Sequence, residues 1–139
     1  MSGKSIRATA LAVAAFALLG ATPPVAAVTP QVAATVNSSV LLRNDRTIWQ
    51  WGSFAAGSSN FPVPVYADGA VLPLRADRIA GGYSHALAAT AFTVWGWGTN
   101  GSGQLGNGGT TTAVAPVSIG NPCPGSSVAA LAAGANHSL

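Results

Sequence analysis

The sequence predicts an all-β repeat fold, a partial β-propeller, and three observations predict it. All four tryptophans sit in two copies of one phrase, Ile48-Trp49-Gln50-Trp51-Gly52 and Val94-Trp95-Gly96-Trp97-Gly98, 46 positions apart. A second phrase, Gly81-Gly82-Tyr83-Ser84-His85, returns as Ala133-Gly134-Ala135-Asn136-His137, with 52 positions between the histidines. A period of roughly 40 to 50 residues is that of propeller blades, each a unit that cannot bury its apolar surface alone. Finally, the chain beyond its first residues is poor in charge and rich in Gly, Ala, Ser and Thr, which suits many short strands and turns better than long solvated helices.

The first 27 residues read as a signal peptide. Lys4 and Arg7 give a positive start, Ala8 to Leu19 an apolar run, and Val25-Ala26-Ala27 the small residues that favour cleavage after Ala27. A spanning helix needs about 20 uninterrupted apolar residues, and Gly20, Pro23 and Pro24 interrupt this run first. The expected location is therefore secreted or cell-envelope, with no membrane association beyond export. Two of the six basic residues fall in the leader, leaving four arginines against three aspartates. The mature segment lacks the clustered basic side chains that nucleic-acid binding requires.

Residues 28–35 read as a low-order linker, and residues 36–139 as the propeller segment. Ser39-Val40-Leu41-Leu42 is expected as a first short strand, turned at Asn44-Asp45. The strand from Thr47 to Trp51 then places Trp49 and Trp51 on one face and Ile48 on the other. With both faces apolar, such a strand belongs to a sheet stacked between neighbours. Thr93 to Trp97 repeats it, with Gly96 leaving room for a ring of the adjacent blade. A glycine-rich loop is expected after each aromatic strand, followed by Phe61-Pro62-Val63-Pro64-Val65-Tyr66 and Ala115-Pro116-Val117-Ser118-Ile119. Proline lacks an amide donor, so these two segments are expected as outermost strands.

The run Arg78 to Leu87, followed by Val94-Trp95-Gly96-Trp97-Gly98 and Gly103-Gln104-Leu105-Gly106, resembles the regulator of chromosome condensation repeat. The closing Gly134-Ala135-Asn136-His137-Ser138-Leu139 resembles it too. The resemblance implies blades of a seven-bladed ring, with Trp49, Trp51, Gly52, Gly82, His85, Trp95, Trp97, Gly98, Gly103, Gln104, Leu105, Gly106, Gly134 and His137 as structural repeat positions. About two repeats are recognisable, and the chain stops inside a motif, so further blades are expected in a missing C-terminal part. The first copy departs from the pattern: Ser53-Phe54-Ala55-Ala56-Gly57 replaces the Gly-Gln-Leu-Gly turn, and Asn37-Ser38 stands where Gly-x-x-His belongs. In the second copy Ala91-Phe92 replaces the usual Asp-Gly turn and one residue is missing.

No catalytic, cofactor-binding or metal-binding residues are expected. His85 and His137 occupy equivalent positions of successive repeats rather than converging on one point, which suits a structural role. No compact set of His, Cys, Asp and Glu offers three or four metal donors. The glycines from Gly101 to Gly109 lack a Gly-Lys-Ser/Thr ending and a following helix, so they read as a turn and not as a phosphate loop. Cys123 stands alone in a loop, which leaves a disulfide partner in the missing part, an intermolecular bond or a free thiol, with the first expected. Asn37, Asn100 and Asn136 each open an Asn-x-Ser sequon.

The expected function is that of an exported, non-enzymatic module binding a protein or glycan through loops on one face. Phe54, Asn60, Tyr66, Tyr83 and Asn100 are the exposed candidates. Two alternatives are a guanine-nucleotide exchange factor-like protein, which the resemblance implies and the leader opposes, and an accessory domain of an enzyme whose catalytic part lies elsewhere.

Overall fold

The computed structural model describes residues 27–139; the signal-peptide reading falls almost wholly outside the described residues. The chain forms two four-stranded antiparallel sheets in sequence order. The first contains β1 (Gln31–Ala34), β2 (Ser38–Leu42), β3 (Ile48–Phe54) and β4 (Gly57–Pro64). The second contains β5 (Arg78–Gly81), β6 (His85–Ala89), β7 (Val94–Gly98) and β8 (Ala113–Gly120). Each sheet is one blade of a partial β-propeller, and the segment ending Ala133-Gly134-Ala135-Asn136-His137-Ser138-Leu139 opens a third copy, closed by a bridge between Ala133 and Ser138.

The linker expected over residues 28–35 is corrected by β1. Gln31 to Ala34 pair with Leu42 to Ser39 in register. The Gln31 side chain accepts the Ile79 amide at 3.1 Å and donates to the Asp77 carbonyl at 3.5 Å, tying the strand to the second sheet. The segment continues the Ala- and Pro-rich composition of the leader, so nothing local marks it as a strand; its partner strand decides.

The register is repeated almost residue for residue. Ser38 pairs with Gly52 and His85 with Gly98, and a bulge falls after Gln50 and again after Gly96. Four residues join Ala89 to Val94 where five join Leu42 to Ile48, which is the missing residue seen in the sequence. The shortened turn holds because the Thr90 hydroxyl accepts the Thr93 amide at 3.2 Å. The proline-bearing segments are outermost strands, as expected. The glycine-rich loop expected after the first aromatic strand is instead a two-residue turn, Ala55-Ala56, directly into β4.

Ile48 packs with Val40 and Leu42 on the face of the first sheet that meets the second; Trp97, Ala86, Ala88 and Ile79 complete that core. Trp49 and Trp51 lie on the opposite face, half-buried. A Cβ at Gly96 would press on Leu87, Leu105 and Ile119 of its own repeat. Those three side chains fill the far side of the second sheet, so the glycine serves packing within its own repeat.

Candidate functional site

At one end of the two sheets the β1–β2, β3–β4 and β5–β6 turns and the β7–β8 loop come together. Thr35-x-x-Ser38, Gly82-x-x-His85 and Gly134-x-x-His137 make the same turn, in which the first amide donates to the fourth carbonyl at 2.8, 2.9 and 2.9 Å. Successive turns are also bonded to each other, Val36 N–H to Tyr83 O at 2.9 Å and Tyr83 N–H to Gly134 O at 3.1 Å. The tips Val36 and Tyr83 and the start of the third turn at Gly134 therefore form a row fixed by main-chain bonds.

Behind the row the repeat uses glycine for close approach. Gly52 and Gly98 have φ of 95° and 103°, and a Cβ on either would strike the carbonyl oxygen of Asn37 or Ser84. Those carbonyls accept the amides of Ser53 and Thr99 at 2.9 and 2.8 Å. Gly82 and Gly134 make room for imidazole rings, His85 and His137 respectively.

His85 is 1% exposed, and its Nε2 lies 3.0 Å from Ser138 Oγ. The Ser138 hydroxyl donates its only proton to the Gln104 carbonyl at 2.7 Å. The imidazole must then be the donor, carrying its proton on Nε2 and leaving Nδ1 bare, and Nδ1 is buried without a partner. Burial, with His137 adding a smaller effect, holds the His85 pKa below its ordinary value. A serine nucleophile needs its base to accept the hydroxyl proton; here the proton points away from the ring. The arrangement ties the second repeat to the third.

The β7–β8 loop is built around Asn100, which is 0% exposed. Its Nδ2 donates to Asn107 Oδ1 and Gly109 O at 3.1 and 3.0 Å, and its Oδ1 accepts the Leu105 amide at 2.9 Å. Gln104, also buried, accepts the Ser102 amide at 2.9 Å. Asn100 as an exposed binding residue is thus corrected: its amide spans the loop.

The other four candidates do not converge. Tyr83 (60% exposed) projects from the row of tips, and Phe54 is half-buried at the β3–β4 turn beside it. Tyr66 is exposed at the opposite end, bridged to Pro73, and Asn60 is exposed on the outer strand β4. The sequence reading missed Asn37, Ser53, Ser84 and Thr99, which line a cleft of about 190 Å³ between the sheets together with Thr35, Val36, Ser38, Phe54 and Ala55. The register contains the signal, because Ser53 and Thr99, and Asn37 and Ser84, are equivalent positions of the two repeats.

Charge is segregated. Beyond the leader every Arg, Asp, Glu or Lys lies in Arg43 to Arg46 or in Asp68 to Arg78. Arg46, whose φ is 70°, meets Asp77 at 3.4 Å, and its carbonyl accepts the Ala76 amide at 2.9 Å, docking the β2–β3 turn on the inter-sheet connection. No charged side chain lines the cleft. Among the described residues no group of three His, Cys, Asp or Glu could hold a metal ion, and Cys123 is exposed.

Residues 93–139 match the family model "Regulator of chromosome condensation (RCC1) repeat". No curated protein matches the chain. Among solved structures it is similar to human WBSCR16, with a TM-score of 0.64 and 22% identity over 81% of this chain and 31% of that one. It is also similar to Prp20p from Saccharomyces cerevisiae, described with binding properties to Gsp1p and histones, with a TM-score of 0.59 and 21% identity over 85% and 31% of the two chains. The same yeast protein bound to Kap60 gives a TM-score of 0.52 and 24% identity over 78% and 26%. The chain thus spans about a third of the length of the solved structures it matches, and at this identity the likeness is one of fold.

Proposed function

We propose that this chain, a bearer of regulator of chromosome condensation repeats, is an exported, non-enzymatic module whose blades form part of a larger ring and bind a protein or glycan through the end where the turns gather. One observation carries the reading: that end presents Val36 and Tyr83 side by side on a bonded backbone row, next to a neutral polar cleft, while the charged residues lie elsewhere. A rigid scaffold with exposed side chains held at fixed spacing is what recognition needs.

The non-enzymatic part rests on the direction of the His85–Ser138 bond, which leaves the serine unactivated. Prp20p, described with binding to Gsp1p and histones and bound to Kap60, is compatible with binding as the business of such blades. Export rests on the leader-like residues 1–27 and opposes an exchange-factor role on an intracellular GTPase. Amino-terminal sequencing of the extracellular protein should begin at Val28; a cytosolic chain retaining Met1 would revive the exchange-factor reading.

The binding face is tested by photocrosslinking in the native extracellular fraction. A photoreactive residue at Tyr83 should give a discrete adduct, and one at Val71, exposed on the inter-sheet connection, should give none. Equal labelling from both positions, or none from either, contradicts the proposal.

A further inference from the structure

We infer that the cleft between the first and second turn tips is a binding site for one neutral sugar ring, the terminal unit of a glycan. The inference rests on the proposed function and names the ligand class of that same end.

Four features of the cleft specify this ligand. It offers polar side chains in number: Asn37, Ser53, Ser84 and Thr99 all line it. Thr35 and Ser38 bond each other, whereas those four side chains take no such bond among the described residues. The main-chain groups beside them are already paired, Ser53 N–H to Asn37 O and Thr99 N–H to Ser84 O. Unused capacity therefore resides in three hydroxyls and one carboxamide, each both donor and acceptor. A polyol has the same double character.

Second, no ionisable group lines the cleft, so a phosphate, carboxylate or ammonium would lose its hydration without finding a counter-charge. The ligand is uncharged. Third, Phe54 forms part of the wall, and the electron-rich face of an aromatic ring suits the weakly positive C–H groups of a sugar face. Fourth, the volume of about 190 Å³ lies below the roughly 300–1,000 Å³ of sites for drug-sized molecules. One ring fits; an extended chain must run outward.

A larger groove of about 350 Å³ lies beyond Phe54 against Trp51, Gly57 and Ser58. The molecule itself argues against that groove: Trp97, the counterpart of Trp51, is buried by the neighbouring sheet. The cleft at Asn37 lies between two sheets that are already packed and needs no further cover.

The test uses the full mature chain made in a bacterial host, so that the Asn37 sequon carries no glycan. Glucose, galactose, mannose and N-acetylglucosamine are each titrated to about 50 mM, a range that detects the millimolar affinities of single-ring ligands, with two-dimensional NMR as readout. At least one sugar should shift the Asn37, Ser53, Ser84 and Thr99 amides saturably. Asn37→Ala and Ser84→Ala should each weaken it about tenfold, the scale of one good hydrogen bond, with unchanged melting. Saturable shifts elsewhere, or none with any sugar, overturn the site. If the Tyr83 crosslink persists in that case, the face binds protein and only the sugar inference falls; if both fail, the proposed function falls with it.

Discussion

The indole Nε1 of Trp97 donates a 3.0 Å hydrogen bond to Oε1 of Gln50, joining side chains 47 positions apart in the two sheets. Trp97 is 1% exposed, so the bond sits inside the apolar interface with Val40, Leu42 and Ile48. Gln50 occupies in the first repeat the position that Gly96 occupies in the second. One repeat supplies the acceptor and the next supplies the ring, which makes the interface directional.

Removing the bond should therefore loosen one sheet from the other. Gln50→Ala, which leaves the indole N–H without its partner, should cost about 1–3 kcal/mol, and Trp97→Ala, which adds a cavity, about 3–5 kcal/mol. Urea unfolding of the two single variants and the double variant measures the coupling; additive losses would show that the two side chains do not act together.

Gly52→Ala and Gly98→Ala should each destabilise by at least about 1–3 kcal/mol, the cost of holding a side chain at so positive a φ, with the clash on Asn37 O or Ser84 O added. Gly101→Ala, where a Cβ meets open space at an ordinary φ, should be nearly silent. Thermal melts of the three variants separate these outcomes.

The pH dependence follows from His85. Its folded pKa lies below the ordinary 6.5, so as pH falls the unfolded chain takes up the proton first. Stability is complete above about pH 6.5 and declines as the pH drops toward the depressed folded value. The unfolding free energy of the parent should fall between pH 7 and 5, and His85→Gln should flatten that slope. Nitrogen-15 shifts of the imidazole should report the proton on Nε2; a proton on Nδ1 would contradict the Ser138 bond.

Asn100→Ala should cost about 1–3 kcal/mol and increase exchange of the Leu105 amide, whose hydrogen bond it removes. When the folded protein is offered to a glycan-transferring enzyme, Asn37 and Asn136, both exposed, should be modified and Asn100 should not. Modification of Asn100 without unfolding would show that the loop opens.

The all-β class, the strands β2, β3, β4, β7 and β8 and the outermost place of both proline strands could be read from the chain, because the paired tryptophans and prolines leave few alternatives in a two-fold repeat. β1 could not. Gln31-Val32-Ala33-Ala34 has no aromatic and no turn signal of its own, and only its alignment with Arg78-Ile79-Ala80-Gly81 gives it a place. The site was less legible still. Asn100 looked like a surface asparagine because sequence does not show that its amide bridges Leu105, Asn107 and Gly109. Asn37, Ser53, Ser84 and Thr99 were hidden by composition, since isolated hydroxyl residues in a Ser- and Thr-rich chain carry no signal until the repeat register pairs them.

The stacked-sheet account is tested most directly by nuclear Overhauser contacts from the Trp97 indole in the mature chain labelled at tryptophan. The account predicts cross-peaks from the Trp97 ring to Val40 and Ile48, and from its N–H to the Gln50 side chain, with Trp49 and Trp51 showing none of these inter-sheet contacts. A Trp97 indole with solvent-like shifts and no contact to residues 40–50 would contradict it.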